Sequence, residues 1–376
     1  MSAFRLIGDD VAAACASLPE TSFDAVLCDS PYHLTQKSRG GSTQPGDNRT
    51  THFGRAGVGT DKGFMEQTWD GGDVAFRPET WTAIRRVMKP GAYLMAFGSP
   101  RTWHRLAVAL EDAGLEVVDT LMWIYGQGLP KSRNMGQSDA GWAGYGTALK
   151  PAWEPVILAR QPLARTYAAN VLTWGCGALN IDGGRILAPE GMGSASSSGR
   201  FPANLLLDEE SADALDAQTG VLKSGAMAAG TPRTVGNKGV YHTIKTVATS
   251  EDIQANTGGA SRFFYVGKVK TGEREAGMPK GFANNHPTLK PLALTTYLAT
   301  LLLPPERATP RRILVPFSGA GSEMIGALQA GWETVVGIER EEAYIPIARA
   351  RLRHWVPGST EERDYTEEGS PCPETG

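Results

Sequence analysis

Residues 312–339 restrict the fold more than any other part of the chain. Arg312-Ile-Leu-Val-Pro316 is a short apolar run and Phe317-Ser-Gly-Ala-Gly-Ser322 a glycine loop. Glu323 to Ala330 has the pattern of a helix, and Glu333-Thr-Val-Val-Gly-Ile-Glu339 is a second apolar run with an acid at its end. Two strands joined through a helix belong to a parallel sheet covered by helices. Gly319 and Gly321 let the backbone come close to a ligand. A carboxylate at the end of the second strand, Glu339, can hold two ribose hydroxyls, so a nucleoside-bearing cofactor is implied. Taken by itself, this unit also fits a dinucleotide-dependent oxidoreductase.

A second stretch, near the other end of the chain, narrows the choice. Phe23-Asp-Ala-Val-Leu-Cys28 reads as a short buried strand over Ala25 to Cys28, and it opens into Asp29-Ser30-Pro31-Tyr32. In open α/β sheets, ligands bind outside the carboxyl ends of the strands, where these four residues would sit. Asp, Ser and Pro also favour ordinary turns, so the four residues alone leave a plain turn open.

Together the two stretches resemble the amino-directed DNA methyltransferases. The catalytic motif of that family, Asp/Asn/Ser-Pro-Pro-Tyr, stands here as Asp29-Ser30-Pro31-Tyr32, and its Phe-x-Gly-x-Gly stands as Phe317-Ser318-Gly319-Ala320-Gly321. A third family motif appears as Asn285-His286-Pro287-Thr288-Leu289-Lys290-Pro291. The catalytic motif comes first and the cofactor motif last, which is similar to the beta-class order. The resemblance covers most of 4–130 and 262–355. It implies a Rossmann-like α/β fold with a mostly parallel sheet and helices on both faces. It also implies S-adenosylmethionine as cofactor and double-stranded DNA as substrate. For the cofactor it points to Phe317, Ser318, Gly319 and Gly321 against methionine and ribose, and to Glu339 on the ribose hydroxyls. His286, Thr288 and Lys290 would close the site, and Asp9, after a first strand at Phe4 to Ile7, would accept from the adenine amine. Asp10 is the better helix cap of that pair. One departure stands out: the family usually has Asp before Pro-Phe, and here the residue is Val315.

The chemistry such an enzyme must perform fits the residues. An exocyclic amine is a poor nucleophile because its lone pair is delocalised into the ring. Two acceptors near its hydrogens draw the nitrogen out of conjugation; here they would be the Asp29 carboxylate and the Ser30 main-chain carbonyl. Pro31 fixes φ and stiffens the turn. Tyr32 offers a face for the base once it has left the helix, as chemistry on a paired base requires. No metal is expected. The leading Asp favours the 6-amino group of adenine, with the 4-amino group of cytosine as the alternative. Cysteine-5 chemistry needs a nucleophilic Cys after Pro in a structured loop, and the sole Pro-Cys, Pro371-Cys372, lies in the acidic end of the chain.

Composition is compatible with this reading. The net charge is -3, yet residues 126–290 carry 17 Lys and Arg against 13 Asp and Glu, a mildly basic middle that suits phosphate contacts. The four cysteines have no paired spacing, which argues against zinc and disulfides. No apolar run reaches bilayer length, and the N-terminus lacks a signal-peptide core. A cytoplasmic protein of a prokaryotic cell or a phage-infected host, monomeric or homodimeric, is expected. Residues 1–164 would carry catalysis, with a mobile loop at 35–72 whose Arg39, Arg49, Arg55 and Lys62 touch phosphates. Residues 165–260 would be an irregular target-recognition insertion, 261–356 the cofactor part and 357–376 a disordered acidic tail. Helices are expected at Pro78–Met88, Pro100–Ala113, Lys290–Leu303 and Glu342–His354, and strands at Ala92–Phe97, Leu115–Ile124, Glu154–Arg160 and Arg262–Val266. A non-catalytic DNA-binding protein is the remaining rival; the intact Asp29 and both glycines argue against it.

Overall fold

The computed structural model describes residues 2–34, 70, 72–128, 130, 132–187, 199–235, 245–248, 252, 255–268 and 272–362. Their elements, in chain order, are β1 (Ala3–Ile7), α1 (Val11–Ser17), β2 (Phe23–Asp29), α2 (Pro78–Val87), β3 (Met88–Phe97), α3 (Trp103–Asp112), β4 (Glu116–Ile124), β5 (Trp153–Arg160) and α4 (Tyr167–Trp174). Next come β6 (Leu205–Asp208), α5 (Glu209–Thr219), β7 (Leu222–Ser224), β8 (Pro232–Val235), β9 (Lys245–Ala248), β10 (Asn256–Gly258) and β11 (Tyr265–Gly267). The chain continues with α6 (Leu292–Leu302), β12 (Arg312–Pro316), α7 (Ser322–Ala330), β13 (Thr334–Ile338), α8 (Ile345–Trp355) and β14 (Thr360–Glu361). The chain divides into two compact units. The first comprises 1–122, 154–180 and 268–376, the second 123–153 and 181–267.

The first unit is a Rossmann-like α/β fold. Its strands lie in the order β4-β5-β3-β2-β12-β13-β1-β14. The pairs from β3 to β14 are parallel, and β5 runs antiparallel to β3. Central strands buried on both faces read as unbroken apolar runs, as Ala25 to Cys28 and Ile313 to Val315 do. Strands β2 and β12 come from opposite ends of the sequence and are neighbours, with Leu314 opposite Val26. A buried acid ties them at their start: Asp24 accepts the Arg312 N–H at 2.8 Å and the Lys89 ammonium at 2.6 Å. Trp81 and Trp332 are fully buried, and their indole N–H groups donate to Ala75 O and Ala299 O. Helices α6 and α7 approach so closely that a Cβ on Gly326 would lie 2.4 Å from Thr295 Oγ1.

The second unit holds the parallel pair β6–β11 and two small antiparallel pairs, β7–β10 and β8–β9. The expected insertion at 165–260 overlaps it from residue 181 onward, and its described part is more regular than the sequence suggested. Helix α5 is capped by Asp208, which accepts the Ser211 N–H at 2.8 Å. Its single buried residue is Ala212, so its apolar face is too narrow to show as periodicity. The strand expected at Arg262–Val266 starts later. Residues Ala260–Phe263 form a 3-10 turn because Asp216 accepts from Ser261 N and Oγ, and Arg262 donates to Asn256 Oδ1 and Gly258 O. Tyr167 belongs to the first unit, where its ring lies under the Arg160 guanidinium, 4.8 Å from the centroid.

The remaining boundaries move by a few residues. Helix α3 starts at Trp103 because Ser99 O accepts the N–H groups of Thr102 and Trp103 and closes a turn first. Asp10 caps α1, its Oδ1 accepting the Ala12 N–H. Most of the expected 35–72 loop, with its four basic residues, lies outside the described residues, as do Tyr241, Lys238 and the tail from 363 onward.

Candidate active site

The register of β2 and β12 builds the site. Three residues past the pair Val26–Leu314, β2 reaches Asp29 and the other chain segment reaches Phe317, so the acidic end of one strand stands level with the glycine turn of the other. Neighbouring strands lie about 4.8 Å apart. All the residues below belong to the first unit.

Asp29 is held by Lys290 and faced by the Tyr32 hydroxyl. Its Oδ2 accepts the Lys290 ammonium at 2.7 Å, while Oδ1 is buried with no hydrogen-bond partner among the described residues. Lys290 is 5% exposed and also faces Glu154 Oε2 at 3.3 Å. Its ammonium stands 5.2 Å from the Tyr32 ring centroid and 4.8 Å from that of Phe97, within cation–π reach. Burial pulls the lysine pKa down, but Asp29 and Glu154 outweigh it and hold the group well above the usual lysine range. Tyr32 donates its hydroxyl to Glu154 Oε2 at 2.8 Å. Burial first, then the charges of Asp29 and Glu154, push that phenol well above its ordinary value. Ser30 is buried and its hydroxyl donates to Phe97 O at 3.0 Å, which ties the turn to β3. The turn is also clasped where it leaves the site. His33, at φ 51°, has its N–H on Asp70 Oδ1 at 2.7 Å, and Leu34 N–H donates to Asp70 Oδ2 at 3.0 Å.

The glycine turn is held by backbone geometry. Phe317 adopts φ 59°, Gly319 50° and Gly321 80°. For a residue with a Cβ, the left-handed region costs roughly 1–2 kcal/mol, so Phe317 stores strain beside the site. Gly319 has no alternative: a Cβ there would lie 2.7 Å from His286 Nε2. Glu339 Oε2 accepts the Gly319 N–H at 2.7 Å and its Oε1 accepts the Glu341 N–H at 2.8 Å. Each carboxylate oxygen keeps a further lone pair for a ribose hydroxyl. His286 packs edge-on against Tyr344 at 4.5 Å, and its Nδ1 meets Thr288 O. Burial drives its pKa down to about 4, so the imidazole is neutral at physiological pH. Asn284 Oδ1 and Arg274 fix this segment through the N–H and the carbonyl of His286. Ser318 is buried with its Oγ unpartnered among the described residues. Asp9 is exposed after β1, and its Oδ1 accepts the Asp10 N–H.

The structure therefore brings together Asp29, Ser30, Tyr32, Lys290, Phe317, Gly319, His286 and Glu339. Lys290 sits against Asp29 and Glu154. Sequence reasoning missed Glu154, Phe97, the His33–Asp70 clasp and Glu323. Glu154 stands at the head of an apolar run with nothing local to link it to residue 29. Glu323 occupies a helix first turn, where an acid is ordinary.

The unpartnered oxygens of Ser318 and Asp29, the side-chain-free turn at Gly319 and the carboxylate of Glu339 fit a nucleoside-bearing cofactor set against an acidic acceptor. Fold and site together define a Rossmann-like methyltransferase. A sequence model of the DNA methylase family covering N6 and N4 methyltransferases matches residues 23–350, and the chain belongs to that family. It is a DNA methyltransferase dependent on S-adenosylmethionine. No curated protein matches the sequence. Among solved structures, PvuII DNA methyltransferase (cytosine-N4-specific) is 12% identical, covering 96% of this chain and 95% of that one with a TM-score of 0.51. TTHA0409 of Thermus thermophilus, complexed with S-adenosyl-L-methionine, is 14% identical over 96% and 98% of the two chains, with a TM-score of 0.45. The M1.HpyAVI–SAM complex is 14% identical over 93% and 100%, with a TM-score of 0.39. No described helix is long and apolar enough to cross a membrane, and no cluster of potential metal ligands occurs among the described residues.

Proposed function

We propose that this chain methylates the 6-amino group of adenine in double-stranded DNA, within a specific sequence and on a base turned out of the duplex. One observation carries the proposal: Asp29 Oδ1 is a buried acceptor with no partner among the described residues, held beside the glycine turn by Lys290 through the other oxygen. An amine N–H supplies what that oxygen lacks. The Ser30 carbonyl is the second acceptor, and together they localise the lone pair on nitrogen. S-adenosylmethionine supplies an activated methyl group when bound. Lys290 stays charged and keeps Asp29 oriented, so the acceptor is pre-organised and little rearrangement is needed at the moment of transfer. Buried Pro31 and the Ser30–Phe97 bond hold the turn against thermal drift. The Tyr32 ring, fixed through Glu154, offers an aromatic surface for the extruded base. Phe317, Ser318, Gly319, Gly321 and Glu339 would hold the cofactor, His286, Thr288 and Lys290 would close its site, and Asp9 would accept from its adenine amine.

The 4-amino group of cytosine is the second reading. It presents the same N–H geometry to Asp29, and the structural neighbour PvuII methyltransferase is cytosine-N4-specific. Treated DNA digested to nucleosides and analysed by mass separates the two. 6-Methyladenine is the expected product, and 4-methylcytosine in its place would sink the adenine assignment.

A further inference from the structure

Glu323 opens helix α7 directly after the glycine turn. It is 3% exposed, and its Oε1 is buried without a hydrogen-bond partner among the described residues. The charged and titratable groups that face it are Asp29 and Cys28 from β2, Lys290 from the segment before α6, and Arg351 from α8. None of them satisfies that oxygen. Lys290 is engaged by Asp29 and Glu154. Arg351 Nη1 donates to Ala320 O at 2.6 Å and Ser322 Oγ at 3.2 Å. Strand β12 carries the buried Val315 near its end and contributes no carboxylate, and Glu339, with one backbone N–H on each oxygen, is already assigned to the ribose hydroxyls. The carboxyl's own backbone N–H is the one protein donor turned to it, and the bare Oε1 is placed to take a donor brought by a ligand.

The cofactor carries two cations, a sulfonium and the ammonium of its methionine part. The sulfonium has no N–H to give, whereas the ammonium has three. We propose that Glu323 is the carboxylate that binds the methionine ammonium of S-adenosylmethionine in this chain. The inference rests on the cofactor assignment above. In the free protein, burial and then the Asp29 charge push the Glu323 carboxyl up to about 7. Binding an ammonium favours the ionised carboxylate, so cofactor binding near neutral pH releases a proton from this residue. Lys290 is held well above neutral pH by its carboxylates and the Cys28 thiol well above its ordinary pKa by burial, so neither supplies the proton.

The test is calorimetry on the full chain, wild type and Glu323→Gln, at pH 7 in two buffers of different ionisation enthalpy. The ligands are S-adenosylmethionine, S-adenosylhomocysteine, which keeps the ammonium and lacks the sulfonium charge, and an S-adenosylhomocysteine analogue without the amino group. Glu323→Gln is expected to weaken the first two by about 10- to 100-fold and to leave the third unchanged. The wild type is expected to release about half a proton more per cofactor than the variant. Equal proton release, a loss confined to S-adenosylmethionine, or an equal loss for the deaminated analogue each overturns the proposal while leaving the cofactor assignment intact. Wild type that binds neither S-adenosyl ligand overturns both.

Discussion

Two neighbouring strand ends make this site, and they are built on different principles. The end of β2 is held by charge: Asp29 and Glu154 close on the buried Lys290, the three lying 125 and 136 residues apart along the sequence. The end of β12 is held by backbone: left-handed residues, a missing Cβ at Gly319 and a carboxylate that accepts a main-chain N–H. The difference follows from the tasks. An acceptor for an amine must stay oriented, which a buried cation ensures. A turn that cradles a cofactor must let the ligand touch the main chain, which excludes side chains. Charge-built sites fail when a partner is removed, and backbone-built sites fail when an atom is added.

The largest expected effect breaks the charged end at its working atom. Asp29→Ala is expected to lower methyl transfer by about 10³-fold or more, the scale for losing a pre-organised polar group, while S-adenosylhomocysteine affinity stays within a few fold. Transfer of labelled methyl to DNA and calorimetry measure the two; unchanged turnover would remove Asp29 from the chemistry. Next, Lys290→Met leaves Asp29 and Glu154 facing each other without a cation. Breaking a buried pair costs about 3–5 kcal/mol. Denaturant unfolding checks this, and a loss below about 1 kcal/mol, the scale of an exposed pair, would mean that the lysine does not hold the two carboxylates together.

Smaller effects belong to the backbone end. Gly319→Ala puts a methyl 2.7 Å from His286 Nε2 at a positive φ. It is expected to cut cofactor affinity by about 10-fold, of order the 1–3 kcal/mol carried by such strain, without changing which base is methylated. Native-like affinity in that variant would show that the turn does not meet the ligand. The smallest effect sharpens the boundary between the two ends, where Glu323 sits. Its carboxyl rises from 4.5 to about 7 on folding. Between those pH values the unfolded chain gives up a proton that the folded chain keeps, so this group costs stability as pH rises. Glu323→Gln should leave the cofactor-free protein unchanged near pH 4.5 and stabilise it above pH 7 by about 1–3 kcal/mol. Thermal unfolding across that range decides it. His286 acts in the opposite sense: its pKa is depressed to about 4, so its contribution is lost as pH falls from about 6.5.

The backbone end was more legible in the sequence than the charged end. Phe317 to Gly321 and Glu339 lie within one crossover unit, so local spacing carries their relation. Asp29 to Tyr32 announced a functional turn, but not what holds it. Lys290 was visible as part of a motif, yet its partners Asp29 and Glu154 could be matched only by folding. Glu154 begins an antiparallel strand beside β3, a placement that no periodicity encodes. Helix α5 escaped for a different reason, because most of its surface is polar and its buried face is one alanine wide.

Local pattern was enough to determine the strand–turn–helix unit, the parallel sheet and a nucleoside-bearing cofactor, because each is carried by residues within a single crossover unit. Only the tertiary structure decided that Asp29 stands level with the glycine turn, that one lysine neutralises two carboxylates, and that Glu323 is buried without a donor. Those outcomes depend on which strands become neighbours. That choice is made by burial of the whole sheet, and the sequence around any one residue does not contain it.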